Sequence, residues 1–272
     1  MTEKINIELG SVQETLLLPL WGRAVETQKS APKLADRKAV EIINKIDYDF
    51  STIRKNISWV SRFAWVARAL HVDRTIVTFI QRNPKATIVN IGCGLDTTFE
   101  RVDNGQIFFY DLDLPDVIDL RKNFFEETER RKTIPISFFD SKWFPKVRID
   151  HGVLLLAAGV FYYFDEIRIK DFFITVAKNF PGCELFFDIA SPLGVSIANK
   201  RVIRDGGMDE TALLHWGVKN ATAMEKWDYR IRLVNEFPLF KGMKKGLPLK
   251  MKYGLWISDF LKIMSMVHLK LG

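Results

Sequence analysis

The sequence predicts an α/β fold built on a doubly wound, mostly parallel sheet. From residue 84 onwards, short apolar segments alternate with amphipathic segments of helical length, which is the pattern of parallel strands connected by helices. One apolar segment, residues 152–157, is almost continuously apolar, as expected for a central strand covered on both faces. Another, residues 87–91, runs into a glycine turn at Gly92, where such sheets bind ligands.

The remaining elements follow from the same patterns. Strands are predicted at residues 87–91, 106–111, 134–140, 152–157 and 183–189, with helices at 116–131 and 165–180. Beyond the fifth strand we expect an insert on the substrate side, around residues 191–228 and helical over 196–226. A strand at 229–237, a helix at 255–263 and a final strand at 265–271 follow, and the last strand should return antiparallel beside its predecessor.

The first 83 residues predict an additional layer, an N-terminal helical cap. Apolar residues recur at helical spacing within residues 14–27, 35–46 and 53–80. Asn83 precedes Pro84, and a proline disfavours the α conformation in the residue before it. We therefore divide the chain into a cap at residues 1–83 and an α/β domain at residues 84–272.

The composition, 47% apolar and 27% charged, is that of an ordinary globular protein. No apolar run approaches the ~18–20 residues that cross a bilayer, and the first residues lack the basic start and apolar core of a signal peptide. Cys93 and Cys183 are too few for a disulfide framework. We expect a cytoplasmic protein with no membrane partner, and its oligomeric state stays open.

The net charge of +7 includes a lysine-rich stretch at residues 241–252. No recognition helix, zinc motif or RNA-binding motif accompanies it, so we interpret it as a solvated loop and expect no nucleic-acid partner. The positive field favours an anionic small-molecule acceptor. The four histidines show no metal-ligand spacing, and no metal is predicted.

The glycine turn and an acidic strand end predict a nucleoside cofactor. Gly92 and Gly94 let the backbone approach a ligand closely, and a carboxylate at Asp111 or Asp113 can accept hydrogen bonds from ribose hydroxyls. The dinucleotide fingerprint needs a third glycine where this chain has Thr97, which disfavours a nicotinamide-dependent oxidoreductase. Either Asp111 or Asp113 can instead have a structural role, because an acid is stabilised near the N-terminus of the helix that follows.

Four segments carry a resemblance to a known family. They are ETLLLPLWGRA at 14–24, VNIGCGLDTT at 89–98, YDLDLP at 110–115 and AAGVFYYF at 157–164. With them the chain resembles class I S-adenosylmethionine-dependent methyltransferases, and among these the leucine carboxyl methyltransferase family, which includes the tetracenomycin-type polyketide O-methyltransferases. The resemblance implies a Rossmann-like methyltransferase sheet and S-adenosyl-L-methionine as the cofactor.

The resemblance also implies which residues bind that cofactor. They are Gly92 and Gly94 beneath its methionine part, Asp113 with its neighbour Asp111 at the ribose, Asp140 with Ser141 at the adenine, Arg68 at the carboxylate, and Arg23 as a second contact to the carboxylate. A guanidinium suits this last task because it can hold a carboxylate through two hydrogen bonds. Asp96 can equally cap the helix that follows it.

The implied activity is methyl transfer to an oxygen of a small, polyketide-like molecule, either a hydroxyl or a carboxylate. No catalytic residue is assigned; His215, Tyr162 and Tyr163 are candidates, since a hydroxyl acceptor benefits from a base. Family members commonly carry a glutamate where this chain has Ala158. A catalytically silent cofactor-binding protein is therefore an alternative hypothesis.

Overall fold

The computed structural model describes residues 4–6 and 15–272 and, of Asn6 and Thr52, only the backbone. Glu14, which the sequence placed at the start of the first helix and of the family-like segment, lies outside the described residues. In the described part of the chain, no helix is long and apolar enough to cross a membrane.

A seven-stranded sheet organises the described residues. Two short parallel strands, β1 (Ile5–Asn6) and β2 (Ile46–Asp47), pair separately, and the large sheet contains β3 (Thr87–Ile91), β4 (Phe108–Asp113), β5 (Arg131–Pro135), β6 (Val153–Ala157), β7 (Cys183–Ala190), β8 (Ile231–Pro238) and β9 (Met264–Leu271). Its order is β5-β4-β3-β6-β7-β9-β8. The first five strands in this order are parallel, whereas β9 runs antiparallel to both of its neighbours. The predicted fold class is confirmed.

Nine α-helices among the described residues surround or flank the sheet. They are α1 (Leu17–Thr27), α2 (Arg37–Lys45), α3 (Ser51–Asn56), α4 (Trp59–Arg82), α5 (Phe99–Val102), α6 (Pro115–Arg121), α7 (Glu166–Asn179), α8 (Pro192–Ala198) and α9 (Leu249–Phe260). The helix α4, which the sequence assigned to the cap, shares a hydrophobic cluster with Ile88 and Leu154 of the sheet. Every residue of β3 and β6 is buried, as expected for central strands.

The predicted helix at residues 116–131 was too long. The helix α6 ends at Arg121, and by Arg131 the chain is already in β5. A turn closes between them, where the Thr128 backbone N–H donates to the Arg131 carbonyl and the Arg131 N–H donates to the Thr128 hydroxyl. The pairing of β5 with β4 requires β5 to begin by Arg131, because Arg131 lies opposite Phe109. The strand predicted at 134–140 accordingly ends at Pro135.

The insert after β7 is also less regular than predicted. In place of one helix over residues 196–226, α8 continues into a π-helix (Asn199–Arg204), and two short 3₁₀ helices (Glu210–Ala212, Ala221–Lys226) follow. The helix predicted at 255–263 is α9, which begins six residues earlier and ends at Phe260. Trp216 and Trp227 pack together at 6.2 Å between ring centroids, whereas Tyr229 is 83% exposed.

Candidate active site

A cavity of about 480 Å³ opens at the carboxyl ends of the parallel strands. Gly92 follows β3, Asp113 ends β4, Ile136 follows β5 and Ala158 follows β6, and all four line it. The volume lies within the range of about 300–1,000 Å³ typical of small-molecule sites. The topology therefore places the cavity where open α/β sheets bind their ligands.

The lining divides into two parts of different chemistry. We call the first the polar half; it consists of Arg68, Asn90, Gly92, Gly94, Asp96 and Asp113. We call the second the apolar half; it consists of Leu18, Trp65, Ala198, Val202, Ile203, Leu214 and Met264, which all belong to one hydrophobic cluster. Most of the apolar half comes from the insert after β7 and from the N-terminal helices.

The glycine turn is the centre of the polar half. Gly92 and Gly94 both have positive φ, +60° and +46°, which residues with a Cβ rarely adopt. The Gly92 N–H donates to the Leu112 carbonyl at 2.8 Å, and the Gly94 N–H donates to the Asp113 carboxylate at 2.8 Å. A Cβ on Gly94 would lie 2.7 Å from Leu16, which closes the turn from the N-terminal side. The turn is thus held against the end of β4.

Asp113 and Asp111 have different surroundings although they are two residues apart. Asp113 lines the cavity and accepts from the backbone N–H groups of Gly94 and Leu114, both at 2.8 Å. Burial raises the pKa of its carboxyl above the usual value, and these hydrogen bonds only partly offset the rise. This geometry supports Asp113 as the acid that accepts from a ribose.

Asp111 is fully buried and does not line the cavity. Its carboxylate accepts from Arg121 at 2.8 Å, from Arg131 at 3.0 Å and from Asn90 at 3.3 Å. Arg121 also donates to the carbonyls of Gly94 and Asp96, both at 2.8 Å. Asp111 therefore orients Arg121, which holds the glycine turn. These contacts give Asp111 the structural role that the sequence left open for one of the two acids.

Arg68 reaches the cavity from α4. Its Nη1 donates to the Tyr162 hydroxyl at 3.0 Å and to the Asp188 carboxylate at 3.1 Å, and Asp188 also accepts from the Gly159 N–H at 2.6 Å. A Cβ on Gly159 would lie 2.6 Å from Nη1, so only glycine allows this approach. Nη1 donates both of these hydrogen bonds to described residues, so Nη2 can donate to a ligand carboxylate.

Arg23, the second predicted carboxylate contact, also lines the cavity but has protein partners. Its Nε donates to Asp36 at 2.9 Å, and its Nη2 donates to the Leu95 carbonyl at 3.4 Å and lies 3.9 Å from Asp96. Asp96 in turn accepts from the Thr98 N–H at 3.0 Å; because Thr98 is itself the N-cap of α5, Asp96 closes the turn before this helix and does not cap it as predicted. Arg23 therefore stabilises the glycine turn and also lines the cavity.

Asp140 and Ser141 are not brought to the cavity. Asp140 accepts from the Lys142 N–H at 3.0 Å and begins a 3₁₀ helix (Ser141–Lys146). Because β5 ends at Pro135, the next four residues, Ile136 to Phe139, line the cavity instead. Ser137 is thus the polar residue of this segment that an adenine could contact.

Of the three catalytic candidates, the two tyrosines line the cavity and His215 does not. His215 is exposed, and its backbone N–H donates to the Tyr162 carbonyl at 2.7 Å. Burial raises the pKa of both Tyr162 and Tyr163, so neither phenol ionises readily. Within residues 4–6 and 15–272, no group of three histidine, cysteine or acidic residues could hold a metal ion.

The comparison with protein families decides what kind of site this is. The model of the leucine carboxyl methyltransferase family matches residues 17–177, which include the glycine turn, Asp113 and Arg68. The chain belongs to the leucine carboxyl methyltransferase family. It is accordingly an S-adenosylmethionine-dependent methyltransferase.

Characterised relatives agree with this assignment. The chain is 30% identical over 222 residues to the tetracenomycin polyketide synthesis O-methyltransferase TcmP of Streptomyces glaucescens, a match that covers 81% of this chain and 80% of TcmP. It is 28% identical over 194 residues to the S-adenosyl-L-methionine-dependent methyltransferase dpfgK of Gibberella zeae, covering 65% of this chain and 64% of that protein.

Solved structures share the fold at low sequence identity. A DUF574 family protein from Streptomyces avermitilis superposes with a TM-score of 0.62 at 12% identity, covering 97% of this chain and 100% of that one. A SAM-dependent methyltransferase from Anabaena variabilis superposes with a TM-score of 0.52 at 9% identity, covering 76% and 85% respectively. The Rossmann-like sheet of this leucine carboxyl methyltransferase family member is thereby confirmed.

Two residues of this family member were missed by sequence reasoning. Arg121 lay within the predicted helix 116–131 and received no role, yet it is buried and connects Asp111 with the glycine turn. Asp188 is buried in β7 and fixes Arg68. A carboxylate within the apolar run Leu185 to Ala190 was the available signal, because a charge in a buried strand needs a partner.

Proposed function

We propose that the protein transfers the methyl group of S-adenosyl-L-methionine to an oxygen of a small, largely apolar acceptor, a polyketide-like hydroxyl or carboxylate. One observation carries the proposal: Arg68, the glycine turn and Asp113 converge on a cavity whose other half is apolar. The activity of the relative TcmP, as its name states it, is O-methylation in polyketide synthesis.

The polar half fits the cofactor group by group. Nη2 of Arg68 offers a cation to a carboxylate, the turn at Gly92 and Gly94 leaves room for a chain to lie against the backbone, and Asp113 offers an acceptor to a diol. When bound, S-adenosylmethionine supplies an electrophilic methyl carbon on a sulfonium. The protein then has mainly to align acceptor and donor, and orientation of this kind contributes several kcal/mol.

The acceptor should be an oxygen that needs no strong protein base, a carboxylate or an acidic phenol. Among the described residues of the lining, each carboxylate already has partners: Asp96 accepts from Thr98 and Asn90, and Asp113 accepts from two backbone N–H groups. Burial raises the pKa of both lining tyrosines, so they stay protonated at neutral pH, and a protonated phenol cannot accept a proton from the acceptor. A carboxylate, by contrast, is ionised without help.

Calorimetry with S-adenosylmethionine, S-adenosylhomocysteine and NAD tests the donor part. We expect binding of the first two and none of NAD; failure to bind the methyl donor contradicts the proposal. Mass spectrometry of a panel of aromatic carboxylates and phenols, incubated with the protein and the donor, tests the acceptor part through a mass gain of one methyl group.

Ala158 is the residue on which the alternative hypothesis, a catalytically silent cofactor-binding protein, depends. It lines the cavity at the position where the family commonly has a glutamate, so this carboxylate is missing from the wall. Donor binding without methyl transfer to any member of the panel would favour the silent protein. An Ala158→Glu variant that then gains activity would assign the loss to this position.

A further inference from the structure

The helix α9 exposes an aromatic face. Leu249, Tyr253, Trp256 and Phe260 are 82%, 65%, 55% and 71% exposed, and their spacing of four, three and four residues places them on one side of the helix. The rings of Trp256 and Phe260 stack with centroids 5.3 Å apart. Leu255 is the one buried residue of α9 and anchors the opposite side. A contiguous apolar face of this kind marks an interaction surface.

Lysines border this aromatic face. At about 100° per residue, Lys250 and Lys252 lie roughly 70–90° to either side of the face. Residues 241–262 contain six lysines and one acidic residue, Asp259. Asp259 is already used, since its carboxylate accepts from Lys244 and from the Phe240 N–H. The surroundings of the face are therefore strongly cationic.

We propose that α9 docks on an anionic lipid bilayer surface, with the aromatic face inserted among the headgroups and the lysines beside the lipid phosphates. Aromatic side chains with flanking lysines are the composition of helices that lie in a membrane interface without crossing it. A second copy of the chain fits less well, because a symmetric contact through α9 would oppose two cationic surfaces. This docking goes beyond the proposed function and does not depend on it.

The position of α9 connects this surface with the cavity. Residues 240–263 leave the sheet after Leu239 and return at Met264, and the Leu239 N–H donates to the Met264 carbonyl at 3.1 Å. Both of these residues line the cavity. The segment that carries α9 therefore begins and ends at the wall of the cavity.

Co-sedimentation of the full chain with vesicles tests the proposal without cofactor or acceptor. We expect binding to phosphatidylcholine vesicles that contain phosphatidylglycerol, weak binding to phosphatidylcholine alone, and loss of binding in high salt. The double variants Trp256→Ser/Phe260→Ser and Lys250→Glu/Lys252→Glu should each lower the partition coefficient at least about tenfold. Ile167→Ser, which removes a 74% exposed apolar side chain from α7, is the matched control and should change nothing.

Three results would overturn the proposal. They are no binding to either vesicle type, equal binding by the wild type and both double variants, and a dimer in sedimentation velocity that Trp256→Ser/Phe260→Ser dissociates while vesicles bind nothing. Circular dichroism and S-adenosylmethionine affinity, both expected to be unchanged in the double variants, separate loss of docking from loss of folding.

Discussion

The polar half and the apolar half of the cavity are built by different means. Apart from Arg68 on α4, the polar half lies in and directly after the parallel strands β3 and β4, where backbone hydrogen bonds and buried ion pairs hold the glycine turn and Asp113. The apolar half comes largely from irregular helices of the insert, and it is held by side-chain packing in one hydrophobic cluster. A change in the polar half therefore removes a specific contact, whereas a change in the apolar half alters the shape of the space.

Asp111→Ala tests whether the buried ion pairs behind the polar half also stabilise the fold. It leaves Arg121 and Arg131 buried without their shared carboxylate, and we expect the free energy of unfolding to fall by about 3–5 kcal/mol in urea denaturation. Asp119→Ala, which removes an exposed acid from α6, is the control and should change it by less than about 0.5 kcal/mol. A stable Asp111→Ala protein that has lost cofactor affinity would instead make Asp111 a ligand.

Asp113→Ala should act on binding more than on folding. We expect S-adenosylmethionine affinity in calorimetry to fall by about 1–3 kcal/mol, because the ribose hydroxyls lose their acceptor. The loss of stability should be smaller than for Asp111→Ala, since Asp113 has no ion pair of the kind that Asp111 has. Unchanged affinity would remove Asp113 from the proposed site.

Val202→Ala probes the apolar half alone. The variant enlarges the lining next to Ile203, and kcat/KM for a methylated acceptor should fall by about 1 kcal/mol, roughly fivefold. The dissociation constant of S-adenosylmethionine should not change. Ile197→Ala, on α8 but outside the lining, is the matched control. If Val202→Ala weakened S-adenosylmethionine binding as much as it lowered kcat/KM for the acceptor, the two halves would not be separate in function.

The pH dependence of donor binding should be the smallest effect, a loss of affinity as the pH falls from neutral towards the titration range of Asp113. The ionised carboxylate of Asp113 is the better acceptor, so protonation weakens binding as the pH falls. Burial raises the pKa of this carboxyl, and the loss should begin above the usual aspartate value of ~3.9. Asp113→Asn should be flat over this range; a parallel fall in both proteins would assign the titration elsewhere.

The glycine turn was predicted from a short local string and Arg68 from the family resemblance alone, and both line the cavity. The sequence could not separate Asp111 from Asp113, since both belong to one strand and one face and its predicted end, at residue 111, was two residues early. The partners that give Asp111 its role lie ten and twenty residues further on. Asp140, which only the resemblance assigned to the adenine, lies outside the cavity lining, because β5 ends at Pro135 and the residues that line the cavity follow it directly.

The sequence by itself determined the order of strands and helices and the position of the glycine turn, because an apolar strand that ends in glycines with positive φ follows from local backbone geometry. The tertiary structure alone decided the apolar half, the burial of Arg121 and the exposed face of α9. These depend on which side chains from distant segments meet, and apolar contacts are not directional, so no local pattern specifies them. The same difference separates the two halves of the cavity: hydrogen-bond geometry defines one, and packing defines the other.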